Sequence, residues 1–115
     1  MSVVSLTGVL VGYARDRYWV TFDSSAGVQL EPGAKVPLLG SLAGLCVRIG
    51  RTLYSADSEL DPRVDISFAR KLRVRSAVCI PLKRGGETVG VLCLVSAKPS
   101  AFDESFVNSL KNLPG

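Results

Sequence analysis

The sequence contains no histidine, and this absence excludes several kinds of functional site. Serine–histidine and cysteine–histidine nucleophilic pairs, ordinary zinc and copper sites and histidine-ligated haem all require an imidazole. Cysteine is scarce as well, with Cys46, Cys79 and Cys93 too far apart in sequence for a zinc motif and odd in number for a disulfide framework. We therefore predict no metal site and assign no cofactor.

Long apolar runs and an N-terminal leader are also missing. No stretch approaches the roughly 18 apolar residues that a membrane-spanning helix needs. The first residues, Met-Ser-Val-Val-Ser, lack the basic segment that opens a signal peptide. From these absences we expect a cytoplasmic protein that does not enter a membrane. The length of 115 residues predicts a single domain over 1–115, with a core that needs no disulfides.

The net charge of +4 is unevenly distributed, with basic side chains crowded into residues 70–75. Four acidic residues lie shortly before this basic cluster: Asp57, Glu59, Asp61 and Asp65. A nucleic-acid-binding surface usually adds interleaved aromatic residues or a groove-reading motif, and the chain has neither. We expect a solvated cluster that is partly paired with the acidic residues, a polyanion site being the weaker alternative, and we do not expect nucleic acid as a partner.

The stretch 75–97 organises the predicted fold. Two apolar runs, 77–82 and 88–95, flank the pair Gly85-Gly86, which is the pattern of an antiparallel hairpin with a two-residue turn. Both faces of this hairpin carry apolar side chains, and a sheet that is apolar on both faces must be covered on both. The hairpin is therefore predicted to lie at the centre of a sheet between two other layers.

The two-residue turn also fixes a register. It places Arg84 opposite Glu87, which is a favourable cross-strand charge pair. Counted on from there, Cys79 faces Leu92, and Cys79 and Cys93 point to opposite faces. This register predicts that the two cysteines are poorly placed to form a disulfide.

The remaining elements follow from hydrophobic periodicity and from capping residues. We predict strands at 5–13 and 17–22, a loop with a short extended piece at 23–37, helices at 41–50, 64–72 and 101–113, and a short strand at 52–55. The first helix would begin at Ser41 and end at Gly50, with four inward residues: Leu42, Leu45, Cys46 and Ile49. The last helix would be capped by Ser100 or Asp103, with five inward residues: Phe102, Phe106, Val107, Leu110 and Leu113. This order of elements indicates an α+β domain around one antiparallel sheet.

These segments resemble a GAF domain, the small sensory module of phosphodiesterases, histidine kinases and other signalling proteins. The matching segments are GSLAGLCVRIGRTL at 40–53, the loop with Asp57 and Asp61-Pro62-Arg63, LRVRSAVCIPL at 72–82, GGETVGVLCL at 85–94 and AFDESFVNSL at 101–110. The resemblance implies a GAF/PAS-like fold with a central antiparallel sheet of about six strands and helices on both faces. It also implies a pocket that is roofed by residues 41–75.

One departure concerns the beginning of the chain. GAF domains usually start with an amphipathic helix before the first strand, whereas strand-like sequence begins here almost at Met1. We expect a domain that lacks this usual helix, either because the chain is a piece of a longer protein or because the helix is absent. Exposed apolar surface and a homodimer are then expected.

The resemblance implies a non-catalytic sensory or regulatory module of a bacterial signal-transduction protein, which binds a small molecule, dimerises and acts on an attached output domain. The ligand would be a cyclic nucleotide or another metabolite. Candidate pocket residues are Cys46, Asp57, Asp61 and Arg63. The structural alternative gives the acidic loop only turn and capping roles and makes Cys46 a small buried hydrophobe.

Two other functions stay open. Free methionine sulfoxide reductases are GAF domains that use thiols, but the cysteine expected between residues 57 and 70 is missing here. We therefore predict no catalytic residues and no enzyme. A ligand-free protein-interaction domain with a filled core is the other alternative.

Overall fold

Nine helices and strands follow one another along residues 5–112, the part of the chain that this computed structural model describes. In chain order they are β1 (Gly8–Tyr13), β2 (Trp19–Ala26), β3 (Lys35–Pro37), α1 (Leu42–Ile49), β4 (Leu53–Ser55), α2 (Ile66–Leu72), β5 (Ser76–Arg84), β6 (Glu87–Ser96) and α3 (Glu104–Lys111). The predicted elements are all present. Strand β2 is longer than predicted, and β3 is the short extended piece that was expected within the loop 23–37.

The six strands form one curled antiparallel sheet in the order β3-β2-β1-β6-β5-β4. The predicted N-terminal hairpin is β1–β2, the predicted central hairpin is β5–β6, and β1 pairs with β6 to join the two. The α+β class, the antiparallel sheet and the number of strands are therefore confirmed.

Helices cover both faces of the sheet, as predicted. Alternate side chains of β6 enter two different cores: Val91 and Cys93 pack with α1 and α2 on one face, while Leu94 packs with α3 on the other. The α3 core is centred on Phe102 and Val107, which are 2% and 4% exposed. The predicted inward orientation of Phe102 and Val107 is confirmed, whereas Leu113 lies outside the described residues.

Helix α1 has the predicted ends but a different inward face. The Ser41 hydroxyl accepts a hydrogen bond from the Gly44 N–H at 2.9 Å, and Gly50 ends the helix with a left-handed φ of 68°. The buried positions are Leu42, Ala43, Gly44 and Cys46. Ile49 is 46% exposed, and its predicted inward orientation is wrong.

Gly44 gives the physical reason for this rotation. A Cβ atom built on Gly44 would lie 2.3 Å from the carbonyl oxygen of Leu38 and 2.6 Å from that of Pro37. The helix backbone therefore lies directly against the preceding loop, which turns Ala43 towards the sheet and leaves Ile49 outside. The hydrophobic periodicity of the sequence gives no information about this contact.

The register of the β5–β6 hairpin agrees with the prediction only near the turn. Arg84 does pair with Glu87, and Lys83 pairs with Thr88, but Leu82 pairs with Gly90. Val89 is thus the extra residue of a β-bulge, and it shifts every later pair by one position.

The shift brings two cysteines together. Cys79 lies opposite Cys93, with 3.6 Å between the two Sγ atoms, and not opposite Leu92 as predicted. The prediction that these thiols point to opposite faces is therefore wrong. A glycine within a strand is a known signal of a bulge, and Gly90, next to Val89, is such a glycine.

Candidate functional site

An internal cavity of about 70 Å³ lies between the sheet and the two helices α1 and α2. Its walls are mainly apolar side chains from both layers, among them Leu10, Phe22, Leu42, Phe68, Ala69 and Val95. The cavity occupies the place where the resemblance predicted a pocket, beneath the segment 41–75.

Serines and the helix-capping residue Asp65 are the polar residues of the cavity wall. The Ser58 hydroxyl donates to the carbonyl of Val74 at 2.9 Å, and the Ser76 hydroxyl donates to the carbonyl of Lys98 at 2.6 Å. Ser55 is 1% exposed, and its Oγ atom has no hydrogen-bond partner within the described part of the chain. An unpaired buried hydroxyl is destabilising. Ser55 is therefore the serine of this wall without a hydrogen bond of normal geometry, and its hydroxyl lies beside the Asp61 carboxylate.

Helix α2 forms the roof of the cavity. Asp65 caps its first turn by accepting from the N–H of Phe68 at 3.2 Å. The Phe68 ring stacks on Phe22 of β2 with 5.2 Å between the ring centroids, and Ala69 is buried beneath the helix. This seven-residue helix packs on the core through Phe68, the buried Ala69 and Leu72.

Asp61 and Arg63 form an ion pair beside Ser55. Arg63 donates two hydrogen bonds to the Asp61 carboxylate, at 2.9 and 2.7 Å, and a third to the carbonyl of Tyr54 at 2.9 Å. The side-chain hydrogen bond from Arg63 lowers the pKa of Asp61 to about 2, burial opposes the shift, and the backbone N–H of Arg63, which donates to the same carboxylate, adds a smaller lowering contribution. Asp61 thus pairs with Arg63, and the cap of α2 is Asp65.

Asp57 lies at the other end of the same loop and pairs with Arg75 of the segment before β5, at 3.0 Å. This hydrogen bond lowers the pKa of Asp57. Glu59 pairs in the same way with Arg70 of α2, at 2.8 Å. The prediction that the acidic residues neutralise part of the basic cluster is confirmed.

Cys46 lies on the buried face of α1 and is 0% exposed. Burial raises the pKa of its thiol to about 12. At neutral pH this side chain is an uncharged, space-filling thiol, because only the thiolate is a strong nucleophile.

The four candidate residues do not converge on one point. The cavity wall is formed by other side chains. Asp61 lies beside one of them, Ser55, whereas Arg63 lines a separate concavity next to α3. Asp57 belongs to the outer ion pair with Arg75, and Cys46 lies within the core. Sequence reasoning missed Ser55, Ser58 and Phe68. Only the small polar run Ser55-Ala56-Asp57-Ser58 at the end of β4 hinted at the first two.

A second concavity, an open groove of about 810 Å³, lies where the ends of α1 and α3 approach β5. Its floor is apolar, with Leu53 and Ile80, and its rim carries three cations, Arg51, Lys83 and Lys111. Within residues 5–112 these three side chains form no ion pair. The groove is larger than the internal cavity but exposed to solvent.

One antiparallel sheet with a helix-roofed cavity on one face and a terminal helix on the other is a GAF-like α+β fold. A family model for the GAF domain matches residues 4–113. The chain therefore belongs to the GAF domain family, whose members are typically sensory or regulatory parts of larger signalling proteins.

Solved structures agree with this fold. One is a type II free methionine-R-sulfoxide reductase from Thermoplasma acidophilum, with 19% identity and a TM-score of 0.74, covering 93% of this chain and 72% of that one. The GAF domain of a phosphoenolpyruvate-protein phosphotransferase from Coxiella burnetii has 16% identity and a TM-score of 0.74, covering 90% and 64%. The GAF domain of a two-component sensor histidine kinase from Bacillus halodurans has 14% identity and a TM-score of 0.70, covering 96% and 79%.

At these identities the similarity concerns the fold alone. The structures include both signalling domains and an enzyme, and the fold does not distinguish between these two functions. No curated protein matches the chain. Along residues 5–112, none of the helices has the length and apolar character needed to cross a bilayer.

Proposed function

We propose that this chain is a cytoplasmic, non-catalytic sensory module, a single domain over 1–115, which binds a small metabolite and controls an output domain of a longer bacterial signalling protein. The observation that carries the proposal is the internal cavity under α2, with the unpaired Ser55 hydroxyl in its wall. Pockets for small molecules are typically apolar with a few fixed polar groups, and this wall has that composition.

The size of the cavity restricts the ligand. A cavity needs on the order of 10–15 Å³ to hold one water molecule, and pockets for drug-sized ligands measure roughly 300–1,000 Å³. About 70 Å³ therefore accommodates a compact, mostly apolar metabolite of a few heavy atoms. A cyclic nucleotide would require α2 to move outwards, which makes it the less favoured of the two expected ligand classes.

The ion pairs of the roof contribute little to holding it in place. Its loop and helix are tied to their surroundings by the ion pairs Asp57–Arg75 and Glu59–Arg70, which are partly exposed to solvent. Exposed ion pairs contribute roughly 0–1 kcal/mol each. Since a ligand shifts an equilibrium only by its differential affinity for the two states, binding in the cavity changes the position of α2 only if it offsets the lost contacts of Phe68 with Phe22 and of the buried Ala69. In a homodimer, which we also propose, this movement would be passed on to the attached output domain.

Native mass spectrometry of the purified, unheated chain tests this proposal directly. We expect an added mass below about 100 Da, the size of a molecule of a few heavy atoms that the cavity volume allows, together with a dimer peak. Ala69→Leu, which fills the cavity from the roof, should abolish the added mass. Ser67→Leu makes a similar change on the exposed side of α2 and serves as the matched control.

Loss of the added mass in both variants, or in neither, would contradict the cavity as the binding site. Lys83→Glu tests whether the ligand binds in the open groove instead. A ligand that is lost only in this variant binds outside the cavity. An unliganded chain that also fails to bind any member of a metabolite library would support the ligand-free interaction domain instead.

A thiol-dependent sulfoxide reductase is the second candidate, because two similar structures are free methionine-R-sulfoxide reductases. The thiols of this chain argue against it, since all three are buried and burial raises the pKa of Cys46. Incubation with free methionine-R-sulfoxide and a dithiol reductant measures this activity. Turnover that is lost on Cys→Ser substitution would overturn the non-catalytic proposal.

A further inference from the structure

Cys79 and Cys93 form a close pair on the floor of the internal cavity. They are directly opposed on neighbouring antiparallel strands, with 3.6 Å between their Sγ atoms. Their residues are 3% and 4% exposed, and both side chains line the cavity. Two sulfur atoms in this position need to approach by only about 1.5 Å to form a covalent bond.

The surroundings of the pair decide what can reach it. The cavity offers about 70 Å³ next to the two sulfur atoms, which is enough for a molecule slightly larger than water but not for glutathione. The third thiol, Cys46, lies on α1 and is also buried, but it has no cysteine within hydrogen-bond distance. Cys79 and Cys93 are thus close enough to form a disulfide after a small movement. Cys46 is an isolated buried thiol, which serves as an internal reference for thiol oxidation.

We propose that Cys79 and Cys93 form a reversible disulfide site, which is oxidised by a small hydroperoxide that enters the cavity. This inference is independent of the proposed metabolite and of any catalytic activity. It assigns a modification to residues that the sequence pattern placed on opposite faces of the hairpin.

The reaction balances with hydrogen peroxide as the oxidant. One thiol loses its proton, and its sulfur attacks a peroxide oxygen, which breaks the O–O bond and gives a sulfenic acid and one water. The second sulfur then attacks the sulfenic sulfur and releases its own proton, and the hydroxyl leaves as a second water. The two sulfur atoms lose two electrons in total, and the peroxide is reduced to two waters. A dithiol reductant reverses the modification.

The reaction is expected to be slow. Cys79 is fully buried, and its hydrogen bond with Cys93, followed by burial, raises its pKa well above the ordinary value for a cysteine. Since the attacking species is the thiolate, the rate should increase about tenfold per pH unit near neutral pH. An exposed cysteine in a small peptide should react faster under the same conditions.

Tryptic mapping of the whole chain after treatment with hydrogen peroxide tests the proposal. Trypsin cuts after Lys83 and Arg84, which places Cys79 and Cys93 in separate peptides, 76–83 and 85–111, while Cys46 lies in peptide 36–48. We expect an intact mass lower by about 2 Da. Peptides 76–83 and 85–111 should become linked, and peptide 36–48 should retain its free thiol.

Matched variants separate the pair from general thiol oxidation. Cys46→Ala should form the link as the wild type does, whereas Cys79→Ala and Cys93→Ala should not lose the 2 Da. If either variant fails to fold, the wild-type peptide map alone decides the question. Unlinked peptides, sulfinic acid at either position, a link to Cys46 or a link between two chains would each overturn the proposal.

Discussion

Substitution of Gly44 by alanine tests how tightly α1 is pressed against the loop before it. Helix propensity predicts that Gly44→Ala stabilises the chain by about 1 kcal/mol, because glycine is a poor helix former. The tertiary structure predicts the opposite, because the new methyl carbon would lie 2.3 Å from the carbonyl oxygen of Leu38. The sign of the change in unfolding free energy therefore shows whether helix propensity or the contact with the preceding loop decides the stability at this position.

The size of the expected loss of stability follows from the atoms that would have to move to make room for the new methyl group. Overpacking costs typically 1–3 kcal/mol, and more where the obstructing atoms belong to the backbone. The loop cannot easily retreat, because Ser41 donates a hydrogen bond to the Pro37 carbonyl at 2.5 Å and Arg48 donates one to the Leu38 carbonyl at 2.9 Å. Because the obstructing atoms belong to the backbone, we place the overpacking cost at the upper end, about 3 kcal/mol, and subtraction of the gain in propensity leaves a net destabilisation of about 2 kcal/mol.

Urea unfolding followed by far-UV circular dichroism and by the fluorescence of the single tryptophan, Trp19, measures this change. The urea concentration at the midpoint of unfolding should fall, while the slope of unfolding free energy against urea concentration should stay unchanged. Ser67→Ala, an exposed substitution in α2, controls for propensity and should leave the midpoint equal or slightly raised. A Gly44→Ala chain that is as stable as the wild type would show that α1 does not contact the loop as described.

Three further predictions concern acid stability and two cores. Because the pKa of Asp61 is lowered to about 2 in the folded chain, its stabilisation is complete above pH 4 and is lost as the pH falls towards 2. Asp61→Asn should therefore remove on the order of 1–2 kcal/mol at pH 7 and less at pH 2. Ser55→Ala should be neutral or stabilising by up to about 1 kcal/mol, whereas Ser76→Ala should cost about 1–2 kcal/mol by breaking a satisfied hydrogen bond. Phe102→Ala should cost about 3–5 kcal/mol, because it empties the centre of the α3 core.

Denaturant titrations over a pH series measure all three. An effect of Asp61→Asn that stays the same from pH 7 to pH 2 would contradict the ion pair with Arg63. Equal effects of Ser55→Ala and Ser76→Ala would mean that the Ser55 hydroxyl is bonded after all. A small loss in Phe102→Ala would mean that α3 is not packed on the sheet.

The candidate site was harder to predict from the sequence than the fold. Periodicity located α2, and charge order suggested the ion pairs of Asp57 and Asp61, because both signals are local. The cavity wall combines Ser55 from β4, Phe68 from α2 and Cys93 from β6, residues that are brought together only by the pairing of distant strands. The prediction selected charged residues, whereas the cavity wall consists mainly of apolar side chains and serines, with Asp65 as the charged residue among them.

The sequence by itself determined the elements, their order and the antiparallel class, since hydrophobic period, capping residues and the Gly85-Gly86 turn are properties of neighbouring residues. It also indicated the GAF family, through segments that keep their order and spacing. The tertiary structure decided which side chains meet. The bulge at Val89 brought Cys79 opposite Cys93, and the contact of Gly44 with the Leu38 carbonyl rotated α1. The first outcome depends on the pairing of two strands and the second on close packing of a helix against the loop before it, and hydrophobic periodicity describes neither. A one-residue change in register is enough to reverse the face of every side chain beyond it.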